Sequence, residues 1–73
     1  MTLTELARAL GITDHGAFVL AGQLVGRYGY GAVIVDATRG EITPAAVRAI
    51  RDYVAGRTNT VQMREQEEAG APC

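Results

Sequence analysis

The feature that most constrains this chain is a pair of helix signals separated by almost nothing. Thr2 and Glu5 have the spacing of a capping box, in which each side chain satisfies the other's unpaired backbone N–H at a helix start. Leu3, Leu6, Ala7 and Leu10 then fall at i, i+3, i+4 and i+7, one apolar stripe, with Arg8 on the exposed side. Gly11 stops this helix, because glycine takes the left-handed conformation without a steric cost. Ile12 can pack back while Thr13 or Asp14 caps a second helix, expected from about Asp14 to Tyr28. Two helices joined this tightly must pack against each other.

The second helix divides its residues unevenly. Ala17, Leu20, Ala21, Leu24 and Tyr28 form an inward stripe, leaving His15, Gly16, Val19, Gly22, Gln23, Gly26 and Arg27 on the other side. Each interior glycine costs roughly 0.8–1 kcal/mol relative to alanine. Two readings account for that cost. The helix is a weak one held by tertiary packing, or Gly22 and Gly26 let a partner backbone approach, in the small-xxx-small manner of packed helices.

Gly29-Tyr30-Gly31 ends the helix, and the β-branched run Ala32 to Val35 reads as a strand. Asp36 to Gly40 is turn-like, and Glu41-Ile42 leaves room for a short returning strand, giving a wing-like hairpin with Arg39 at its tip. Such a hairpin is marginal alone. It needs a third strand from elsewhere, or its apolar edge, with Ile34, must pair with a copy of itself. A third helix is expected from Thr43 to Ala55, with Thr43 as N-cap, Pro44 at the first position and an Ile42–Val47 staple. Val47, Ile50, Tyr53 and Val54 make its expected buried face, Arg48, Arg51 and Asp52 face water, and Gly56 closes it. The fold class is therefore small α+β over residues 1–57: helix-turn-helix, hairpin, helix. Residues 58–73 read as an acidic, disordered tail able to become helical on a partner.

At 73 residues there is room for one small domain, marginal by itself and helped by a dimer or partner. Catalysis has little to work with: one His, no Lys, no Ser, and a single Cys at position 73. No metal-ligand spacing exists, and Gly26-Gly29-Gly31 precedes a strand where a dinucleotide loop would follow one. An enzyme, a cofactor and a metal are all unexpected. The lone cysteine fits a reducing cytoplasm. Glu5 interrupts any signal peptide, and the apolar run Ala17 to Val25 is too short for a bilayer, which needs about 20 residues. Through residue 57, six Arg (8, 27, 39, 48, 51, 57) face five acids (5, 14, 36, 41, 52), net +1; from 58 on, Arg64 faces Glu65, Glu67 and Glu68, net −2. Neither value is a basic footprint for nucleic acid.

Across Thr4 to Leu24 the chain resembles bacterial and phage helix-turn-helix regulators, through Glu5, Leu6, Ala7, Leu10, Gly11, Ile12, Ala17 and Leu20. The absence of Lys and Ser matches the coding bias of a GC-rich bacterial or phage genome. The layout of hairpin and following helix is similar to small winged-helix proteins, excisionases and compact repressors among them. The resemblance implies a DNA-binding transcriptional or recombination regulator, acting as a dimer or oligomer on double-stranded DNA. Carried over, Thr13, His15, Gly16 and Val19 would meet base edges, with Gln23 a turn later, and Arg27 and Arg39 would meet phosphates. The sequence departs from the pattern there, with no Arg, Asn or Lys at the base-reading positions. His15 is equally readable as an ordinary exposed residue of a first helical turn. The other reading is a non-enzymatic protein–protein module, a phage- or antitoxin-like adaptor on the same scaffold. Its oligomer interface would be Phe18, Gly22, Gly26 and Ile34.

Overall fold

The computed structural model describes residues 1–63. Helix α1 spans Leu3–Leu10, capped by Thr2 with the reciprocal Thr2–Glu5 capping box in place. Gly11 has φ 73°, Ile12 N–H donates to the Ala7 carbonyl (3.0 Å) and Gly11 N–H to that of Arg8 (3.4 Å), a Schellman closure of the helix. Helix α2, Asp14–Tyr28, starts on Thr13, whose hydroxyl accepts from Gly16 N–H at 2.9 Å. A Cβ at position 16 would lie 3.2 Å from that hydroxyl, a tight contact with the capping side chain. Ala17, Ala21 and Leu24 are buried as the periodicity requires, with Leu20 and Tyr28 packed beside them.

The strand expected at Ala32–Val35 is displaced. Tyr30–Val33 forms a single helical turn, α3, and β1 is Ile34–Asp36. Val33 explains the shift: the turn drives it into the core, where it is fully buried, and its carbonyl accepts from Thr43 N–H at 2.9 Å. Strand β1 pairs antiparallel with β2, Glu41–Ile42, in the register Ile34 with Ile42 and Asp36 with Glu41. Val35 is the extra residue between those pairs, a bulge that leaves it 62% exposed. Asp36 organises the turn, its carboxylate accepting from Thr38 and Arg39 N–H groups at 3.0 and 3.4 Å. The hairpin's missing third strand is the start of the chain: Thr2 bridges Glu41, Leu3 N–H donates to the Gly40 carbonyl (2.9 Å), and Ile42 N–H to that of Met1 (3.1 Å).

Helix α4, Pro44–Val54, begins on Thr43 as its sequence requires. Its face is rotated from expectation at the C-terminal end. Ala46, Ala49 and Ile50 are buried, Tyr53 is 37% exposed, and Asp52, expected in water, is buried. The cause is the chain beyond the helix. It turns at Gly56 (φ 82°) and returns along the Asp52 side, where Arg57 N–H donates to the Asp52 carbonyl (2.9 Å) and its guanidinium lies 3.8 Å from the carboxylate. Residues 58–63 continue onto the core: Val61 and Met63 are buried beside Leu6, Leu24, Val33, Ile42 and Ile50, and Met63 N–H donates to the Tyr28 hydroxyl at 3.2 Å. The packed region thus runs past residue 57, where the tail was expected to begin. The remainder of that expected tail, residues 64–73, lies outside the described residues. Architecturally this is a small α+β domain with α1, α2 and α4 around one core and a hairpin closed by the chain start. Among the described residues no helix is long and apolar enough to cross a membrane.

Candidate interaction surface

Because Ala17, Ala21 and Leu24 fix which side of α2 faces the core, the remaining residues separate into two exposed flanks. One flank is apolar. Phe18, Gly22 and Val25 follow each other at helical spacing and look onto Leu3 of α1, Tyr30 of α3 and Ile34 of β1. Together with Ala21 they line a groove of about 240 Å³ with almost no polar surface. Phe18 is 66% exposed and Tyr30 57% exposed. Fully burying a side chain of this size gains about 1.5–3 kcal/mol, and most of that is left unrealised in the single chain. Gly22 is an exposed part of this lining, and a Cβ built on it meets nothing within 4 Å. Folding of one chain therefore gives no steric reason for glycine there.

The second flank is polar. Gln23, Gly26 and Arg27 line an open depression with Val61, which the returning C-terminal segment brings alongside α2. His15 and Val19 are exposed between the flanks, and Gly16 is half-buried under the Thr13 cap. Thr13 uses its hydroxyl oxygen as the helix cap, so that oxygen is already engaged. Arg39 stands at the hairpin tip and acts on the other helix. The Glu5 carboxyl is held below its usual value chiefly by the Thr2 backbone N–H, which donates to it at 2.9 Å, with the Thr2 hydroxyl, the Met1 amino group and Arg39 adding to the effect.

The residues expected at an oligomer interface are thus partly reunited. Phe18, Gly22 and Ile34 share the groove, whereas Gly26 belongs to the polar flank. Sequence reasoning missed Tyr30 and Val25 as groove residues. Val25 was findable as the i+7 partner of Phe18; Tyr30 was not, because its position depends on the helical turn of α3. A larger cleft of about 450 Å³ lies elsewhere, where Met1, Val35, Ile42 and Val47 meet Glu41, Arg48 and Arg51. Among the described residues no three His, Cys, Asp or Glu side chains converge as metal ligands would. No family model, no curated protein and no solved structure matches this chain.

Proposed function

We propose that this chain is a non-enzymatic protein-interaction module, a winged-helix-like scaffold that associates through the apolar flank of α2. One observation carries the reading: Phe18 and Tyr30 stand largely exposed around an uncharged groove that Gly22 also lines. Contiguous exposed apolar surface of this kind marks association sites. A charged or strongly polar ligand would find no counter-group there. The module works in a reducing cytoplasm and without a cofactor.

Binding of double-stranded DNA by a dimeric regulator is the second reading. It is favoured by the outward line His15, Val19, Gln23 and Arg27, which is exposed along α2. In that reading Thr13 and Gly16 stand at the base-facing end, and Arg27 and Arg39 meet phosphates. Against it stands the charge balance, six Arg to five acids through residue 57, since affinity for duplex DNA comes largely from neutralised phosphates. A mobility-shift titration of random-sequence duplex DNA at several salt concentrations tests the choice. The interaction reading expects no shift. A shifted complex whose affinity falls steeply with salt, and which is lost in the Arg27→Ala/Arg39→Ala double variant, overturns it in favour of DNA.

A further inference from the structure

Resting on the reading of the groove as an association surface, we infer that its occupant is the same groove of a second copy, with α2 crossing α2 antiparallel and Phe18 of each chain seated over Gly22 of the other. Three observations lead there. First, the surface holds both a projection and the space to receive one, a turn apart on one helix: Phe18 is 66% exposed, and nothing lies within 4 Å of a Cβ built on Gly22. A two-fold interface requires this, because each patch must complement itself, with residue i meeting j while j meets i. Second, the charges suit a copy. The groove is lined without a charged side chain, so two copies bring no like charges together. The antiparallel sense also opposes the two helix dipoles. Third, glycine at position 22 is otherwise a cost to the helix with no steric cause inside the chain. A partner ring lying on the backbone supplies the cause.

The test uses the full chain with Cys73→Ser as background, so that the native thiol does not cross-link. Sedimentation of the otherwise unaltered chain is expected to show a monomer–dimer equilibrium that Phe18→Asp shifts to monomer, with helical circular dichroism retained. For the register, chains carrying Phe18→Cys and chains carrying Gly22→Cys are oxidised separately and mixed. A disulfide-linked dimer is expected in the mixture at several-fold the yield of either variant alone. Preferential linkage of Phe18→Cys to itself overturns the antiparallel register. A chain that stays monomeric at its highest soluble concentration overturns the dimer altogether. The dye 1-anilinonaphthalene-8-sulfonate then separates the two levels. A monomer that binds it, with loss in Phe18→Asp, keeps the groove as a surface for a different protein, whereas a monomer that does not bind it overturns the groove reading as well.

Discussion

Helices α1 and α2 lie against each other and are built to different standards. In α1 the cap and the apolar stripe both serve the chain itself. Its cap is reciprocal, its stripe of Leu3, Leu6, Ala7 and Leu10 faces inward, and Thr4, Glu5 and Arg8 face water. Helix α2 satisfies the same rules on its core side, with Thr13 as cap and Ala17, Ala21 and Leu24 buried. Its other side breaks them, placing Phe18, Val19, Gly22 and Gly26 in the open. Both helices share one core, so the difference does not come from their packing. The proposed association surface accounts for exposed positions that serve neither folding nor solvation.

The comparison breaks most easily at two large side chains of α2, one on each side. Leu24 is fully buried, and Leu24→Ala removes contacts on all sides, so a loss of about 2–5 kcal/mol is expected from denaturant titration. Phe18→Ala, in a sample dilute enough to be monomeric, is expected to stay within about 0.5 kcal/mol of the parent, as exposed substitutions do. Losses of equal size would mean that Phe18 supports the single chain and that the two sides of α2 are not different in kind.

Two glycines sharpen the contrast through opposite signs. Gly11 ends α1 at φ 73°, where a side chain costs about 1–2 kcal/mol. Gly22 is helical and has open space at its Cβ position, so alanine there is expected to stabilise the isolated domain by about 0.5–1 kcal/mol. Thermal melts at low concentration check both: Gly11→Ala lowers the midpoint and Gly22→Ala raises it. A lowered midpoint for Gly22→Ala would show that the glycine serves the fold, and the case for a partner over it would lose its third support.

What was legible in the sequence follows the range of the forces involved. Both helix starts, the Gly11 turn and the core stripe of α2 are set by neighbours within a few residues, and Thr2, Thr13 and Thr43 cap the helices they precede. The misread positions all depend on distant contacts. Ala32 and Val33 have strand-like composition, yet the pull of the core on Val33 and the bond from Thr43 hold them in a helical turn. Asp52 looks solvated until Arg57 turns back onto it. Likewise the groove residues Phe18, Gly22 and Ile34 were named from the sequence, whereas Tyr30 joins them only through the helical turn of α3.

The smallest expected effect belongs to the helix with no surplus face, and it concerns pH. Glu5 accepts from the Thr2 N–H at 2.9 Å, which lowers its carboxyl below the ordinary value of 4.5. A carboxyl depressed in the folded state binds its proton more weakly there than in the unfolded chain. Its contribution is therefore present above the unfolded value and disappears as pH falls through the lower folded one. The group is fully exposed, so solvent screening keeps the contribution small. Glu5→Gln retains the capping geometry and removes the titration. The expected result is a small stability advantage of the parent over Glu5→Gln near neutral pH that vanishes on acidification, measured as the difference between their denaturation midpoints. A difference that stays constant with pH would mean that the carboxylate's charge adds nothing at the start of α1.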